Sequence, residues 1–105
     1  DVYKRQHIYT TGGLTVNDDK KEVLVDGEAV RMTPIEYNIL LLLMKNPGRV
    51  FSTTQIYESI WNEPYFYSSN NTVMVHIRNL RRKLDDDPQN ARIIRTVWGK
   101  GYRIE

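Results

Sequence analysis

Cysteine is missing from all 105 residues, which excludes a disulfide framework and a thiolate-held metal. No apolar run approaches the roughly 20 residues a bilayer-spanning helix needs. The first six residues have charges but no apolar core behind them, so no signal-peptide pattern is read in them. They are read as linker or scar, and residues 7–105 as one domain. There is no phosphate-cradling GxxxxGK[ST] loop, no nucleophile elbow and no cluster of metal-ligating side chains. An enzyme is therefore a poor reading, and no cofactor or metal is expected. Net charge is also scarce: at +2, the total does not announce a polyanion binder.

Its distribution says more. Between Asn70 and Leu84 lie His76, Arg78, Arg81, Arg82 and Lys83 with no carboxylate, whereas Asp18, Asp19, Glu22, Asp26 and Glu28 crowd an earlier stretch. A near-neutral protein with one basic stripe still makes a useful local field.

The N-terminal third alternates apolar and polar residues in short segments divided by Gly12-Gly13 and Asn17-Asp18-Asp19. Within "EVLVDGEAV", Asp26-Gly27 suits a two-residue hairpin turn that needs positive φ at both positions. These segments predict a small antiparallel sheet of three or four strands. Its Leu14, Val16, Val23 and Val25 side needs cover. "TPIEYNILLLLMKNPG" supplies it: Thr33 caps, Pro34 opens and Glu36 completes a capping box, and Ile39–Met44 is apolar nearly all round. "FSTTQIYESIW" repeats the device with Ser52 and Gln55. A third helix over 70–84 stops before "DDDP", since Pro88 forbids continuation. "RIIRTVWGKGYRIE" closes the chain as a hairpin tipped by Gly99-Lys100-Gly101.

At about 100° per residue, Val73, Ile77, Leu80 and Leu84 form a narrow apolar stripe on the third helix. The opposite side collects Asn71, Val75, Arg78, Asn79 and Arg82, with His76 and Lys83 on one edge and Met74 and Arg81 on the other. Arg can hydrogen-bond guanine and Asn adenine in bidentate fashion in a DNA major groove, while Val can touch a thymine methyl. Edge residues such as His76 and Arg81 would meet phosphates, which fix register without reading sequence. A solvated basic face is the equal alternative for this helix taken alone. The capped helix before it and the basic hairpin after it favour a helix-turn-helix with a wing.

From about His7 onward, "MTPIEYNILLLL", "GRVFSTTQIYESIW", "NTVMVHIRNLRRKL" and "IIRTVWGKGYRIE" resemble the C-terminal effector domain of OmpR/PhoB-type response regulators. "WNEPYFYSSNNTVMVHIRNLRRKLDDDPQN" resembles the vancomycin-resistance-type subgroup. The resemblance implies an α+β winged helix-turn-helix: a four-stranded antiparallel sheet, three helices and a C-terminal β-hairpin wing. It implies sequence-specific binding of double-stranded DNA for transcription regulation, as the output domain of a cytoplasmic bacterial two-component system. The recognition helix 70–84 would lie in the major groove, and the wing 93–104 on the adjacent minor groove or backbone. Two copies would sit head-to-tail on direct repeats.

Carried onto this chain, the resemblance assigns recognition-helix contacts to Thr72, Val75, His76, Arg78, Asn79 and Arg81. It puts Thr96 and Tyr102 near phosphate and lets Trp61 touch the backbone. Where some members carry Arg, this chain has Asn79, which would move base preference from guanine toward adenine. Trp98 stands where some members place a wing-tip Arg, so Lys100 is the substitute cation. The connection 62–69, with Glu63, Tyr65, Phe66 and Tyr67, matches a loop that can touch RNA polymerase. An upstream receiver domain and a sensor histidine kinase complete the implied system.

Several residues have blander readings. At least two of Tyr65, Phe66 and Tyr67 are expected to fold back on the core. Trp98 is expected to pack on its hairpin rather than reach a base. Met32 and Met44 read as core or strand-end residues, His7 as strand surface, and the acidic turn runs as solvated. His76 has no acid at helical spacing and is no catalytic base. The competing class is a winged-helix module that binds protein, which would need an apolar patch on the outward face of the third helix.

Overall fold

A computed structural model describes residues 7–66, 69–86 and 92–105. The expected linker 1–6, Tyr67 and Pro88 lie outside the described residues. Strands β1 (Ile8–Thr11), β2 (Leu14–Asn17), β3 (Glu22–Val25) and β4 (Glu28–Ala29) form an antiparallel meander in chain order. Register pairs Leu14 with Val25 and Val16 with Val23, so the four expected apolar side chains share one face. Leu14, Val16 and Val23 are buried, and Val25 packs against the same core. At the β3–β4 turn, Asp26 and Gly27 take φ of 51° and 86°, the positive pair the sequence predicted.

Helix α1 (Pro34–Met44) covers that face and keeps its reciprocal Thr33–Glu36 capping box. Ile39, Leu40 and Leu43 are wholly buried, but Leu41 and Leu42 are only half-buried, so this helix keeps one open side despite being apolar nearly all round. Helix α2 (Thr53–Trp61) starts at the equivalent Ser52–Gln55 box and ends where Asn62 turns left-handed at φ 58°. Helix α3 (Ser69–Lys83) begins one residue before the expected span, and Leu84 lies in the turn that follows it. Strands β5 (Arg95–Val97) and β6 (Gly101–Arg103) make the hairpin.

The hairpin is tied to the body. Phe51 N–H donates to the Tyr102 carbonyl at 2.8 Å, and Tyr102 N–H donates to the Phe51 carbonyl at 2.9 Å. Gly101 sits at this crossing with φ +143°, and a β-carbon there would overlap the Phe51 carbonyl oxygen. The crossing therefore draws Gly101 into β6, and the tip is Trp98-Gly99-Lys100 rather than Gly99-Lys100-Gly101.

A half-buried ion pair joins the first turn of α1 to the last turn of α3: Lys83 Nζ donates to the buried Glu36 Oε1. Burial pushes the Glu36 carboxyl upward. The Lys83 ammonium and the Thr33 N–H and hydroxyl partnerships outweigh that, holding it below the usual carboxylate range. A carboxyl depressed in the folded state contributes stability in full above its unfolded pKa of about 4.3, and loses it as pH falls through the folded value. Lys83→Met is expected to cost roughly 1–2 kcal/mol at pH 7. Urea midpoints followed downward from pH 7 should show the gap between variant and parent closing below about pH 4. A gap that stayed constant would separate Lys83 from the Glu36 ionisation.

Candidate nucleic-acid interface

Helix α3 has two chemically distinct sides. Val73, Ile77 and Leu80 are at most 2% exposed and pack into the core. Asn71, Arg78 and Arg82 point outward and are exposed, and Val75 between them is 40% exposed. Thr72, His76 and Asn79 are half-buried along one margin of this face. Met74, on the other margin, is 46% exposed, so the outward apolar surface is two separate side chains rather than a patch. Arg81, Arg82 and Lys83 occupy the last turn, where cations complement the helix dipole.

Arg81 lies on the edge the helical wheel gave it, but that edge is covered. It was expected on an exposed edge, meeting phosphate, but it is only 8% exposed. Its Nε and Nη2 both donate to the Ile94 carbonyl, at 3.2 and 2.7 Å, and Nη2 also donates to Thr96 Oγ1 at 2.8 Å. The guanidinium lies 5.6 Å from the centre of the Tyr102 ring. The wing packs over that edge of α3 and converts a rim cation into a clamp. Thr96 and Tyr102, also expected near phosphate, are the clamp's partners.

Asp86 completes the clamp from the opposite polarity. Its carboxylate was expected to be solvated, yet the residue is 4% exposed. Oδ1 accepts from Arg92 N–H at 2.8 Å, Oδ2 accepts from Ile94 N–H at 2.8 Å, and both oxygens lie 3.2–3.3 Å from Ile93 N. Asp86 N–H in turn donates to the Arg81 carbonyl at 2.8 Å. Ile94 thus has its carbonyl held by Arg81 and its amide by Asp86, which sets where the wing leaves the helix. An acid in a run of acids gave no local signal of this. Its partners come from a segment several residues further along the chain.

Trp61 stacks on Tyr57 with centroids 4.9 Å apart and planes 9° from parallel. Its other neighbour is His76, centroids 5.5 Å apart. The His76 Nδ1 is buried without a hydrogen-bond partner among the described residues. Of the aromatic trio expected to send at least two members inward, Tyr65 folds back edge-on to Tyr57, Phe66 stays 60% exposed, and Tyr67 lies outside the described residues. Glu63 is exposed and accepts from the Tyr57 hydroxyl at a long 3.4 Å.

Trp98 also departs from expectation. Instead of packing on the hairpin it is 90% exposed. As a tip residue it has no cross-strand partner, because Val97 already pairs with Gly101 and Lys100 N–H closes the loop onto the Val97 carbonyl at 2.9 Å. Trp98 and the exposed Lys100 form one wall of a groove of about 440 Å³, and Ser52, Thr53 and Asn70 at the starts of α2 and α3 form the other. Among the described residues no group of acids and histidines is arranged to hold a metal, and no helix is long and apolar enough to cross a membrane.

Residues 27–104 match the family described as transcriptional regulatory protein, C terminal. The chain is 46% identical to the transcriptional regulatory protein YrkP of Bacillus subtilis over 102 residues, covering 96% of this chain and 44% of YrkP. It is 39% identical to the regulatory protein VanR of Enterococcus faecium, covering 97% of this chain and 44% of VanR. The chain therefore spans less than half the length of these relatives. Among solved structures it is similar to the Klebsiella pneumoniae RstA DNA-binding domain in complex with the RstA box, with TM-score 0.85 and 26% identity over 92% of this chain and 95% of that one. It is likewise similar to DrrB, a Thermotoga maritima OmpR/PhoB homologue, with TM-score 0.82 and 30% identity over 92% of this chain and 43% of that one.

Proposed function

We propose, proceeding from the fact that this chain belongs to the family of OmpR/PhoB-type transcriptional regulatory C-terminal domains, that residues 7–105 bind double-stranded DNA sequence-specifically. They are the output domain of a cytoplasmic response regulator whose receiver domain and sensor histidine kinase lie outside this chain. The observation that carries this reading is the division of α3: three apolar residues locked in the core, with Asn71, Val75, Arg78 and Arg82 projecting from the opposite side. The likeness to RstA, a domain that has been solved on its DNA box, supports it.

In this reading α3 enters the major groove. Asn71, Arg78, Asn79 and Val75 face base edges, where Arg suits guanine and Asn suits adenine. Thr72, His76 and Arg82 lie along the phosphates, Trp61 backs His76, and Lys100 and Trp98 bring the wing to the neighbouring groove. Two copies bind direct repeats head-to-tail. Phe66, exposed beside Glu63 and Tyr65, is the side chain free to meet RNA polymerase.

Selection of bound duplexes from a random pool tests the reading. Recovery of a direct repeat is expected, and the absence of any enriched sequence would overturn it. Asn79→Ala should relax preference at one base position per half-site, at a cost of about 1–3 kcal/mol in discrimination. Comparing the selected sites of the two proteins checks this.

A further inference from the structure

We propose that Trp98 is a wedge: on the bound duplex its indole inserts from the minor-groove side between two adjacent base pairs and kinks the DNA. The inference rests on the DNA-binding reading above and deepens it by assigning a specificity-determining residue in the wing.

The first ground is exposure. The largest apolar side chain of the hairpin is 90% exposed, although Ile94 and Ile104 flanking the same hairpin are buried in the core and Tyr102 packs against it. An indole is seldom left so bare without a partner surface, and stacked bases offer it two apolar faces. The second ground is rigidity. The hairpin is fixed at Phe51 through two backbone hydrogen bonds, and at Ile94 through Arg81 and Asp86. Its tip is closed by the Lys100-to-Val97 bond. The backbone that carries Trp98 is therefore a braced arm, and little backbone freedom remains to be lost when the indole inserts.

The third ground is charge. Arg95 and Arg103 both lie against Glu105, at 3.6 and 2.9 Å. Lys100, two residues beyond Trp98, has no ion pair among the described residues and is exposed. An ammonium beside an apolar wedge meets the phosphate flanking the opened step. A guanidinium at the tip would instead lie along a narrow groove without unstacking it. Pyrimidine–purine steps unstack most readily, so the wedge also predicts a sequence preference at a position that α3 does not touch.

The experiment uses duplexes recovered by selection, labelled at both ends for energy transfer, with parent, Trp98→Ala, Trp98→Phe and Trp98→Arg domains. The parent should shorten the end-to-end distance, and its sites should carry a TA or CA step one groove away from the α3 bases. Trp98→Ala should bind the same α3 bases about tenfold more weakly, leave the duplex straight and lose the step preference. Trp98→Phe should keep part of the bend, and Trp98→Arg should bind without bending. Because Trp98 is exposed, the melting temperature of the free variants should equal the parent's. Binding by the parent with no change of bend or step preference in Trp98→Ala would overturn the wedge alone. Failure of the parent to bind any duplex would overturn the DNA-binding reading with it.

Discussion

Asp86→Ala is expected to destabilise the domain by about 3–5 kcal/mol, the largest effect of any single side chain outside the apolar core. The carboxylate accepts from the backbone amides of Arg92, Ile93 and Ile94 while only 4% exposed. Truncation leaves those donors facing apolar surroundings, and each buried unsatisfied donor costs roughly 1–3 kcal/mol. Arg92 is exposed, so water can reach its amide and the sum falls short of three full penalties. Against a total stability of about 5–15 kcal/mol, such a loss should lower the melting temperature by at least roughly 12–20 °C. Asp86→Asn keeps an acceptor oxygen but loses the charge, and should lie between. Urea and thermal unfolding would measure both, and a cost under about 1 kcal/mol for Asp86→Ala would mean the wing leaves α3 by some other restraint.

The second large effect is on binding. In the proposed arrangement, with α3 and the wing of two copies on DNA, about six phosphates would be neutralised, so affinity should fall with a log–log salt slope near −5. Raising salt from about 50 to 200 mM should then weaken binding roughly a thousandfold. Individual cations separate in this test. Arg82→Ala and Lys100→Ala should each reduce the slope by about 0.9 per copy. Arg81→Ala should leave the slope unchanged and lower thermal stability instead, because its fork is occupied by Ile94 and Thr96. A slope change for Arg81→Ala equal to that for Arg82→Ala would return Arg81 to the phosphates. Equilibrium titration at several salt concentrations reads all three.

Most of the architecture was legible in the chain. Thr33 with Glu36 and Ser52 with Gln55 mark helix starts because a capping box involves only four consecutive residues. Asp26-Gly27 marks its turn because few residues accept positive φ twice. The buried stripe of α3 follows from helical periodicity, and with it most of the outward face, Asn71, Val75, Arg78 and Arg82. The margins of that face were not legible. The same periodicity places Arg81 and Met74 on one edge, and nothing in their spacing says that the wing covers the first and leaves the second open.

The chain by itself determined what local stereochemistry and the apolar period decide: where elements begin, which side of each faces inward, and the order of sheet, helices and hairpin. Tertiary structure alone decided the fate of polar and aromatic residues at the seams. Arg81 grips a carbonyl 13 residues away, Asp86 gathers amides 6–8 residues away, and Trp98 stands clear because its hairpin is anchored at Phe51. A charged side chain is equally at home in water or on a buried backbone group that satisfies it. Which of the two it meets depends on packing between distant segments, and no local pattern records that.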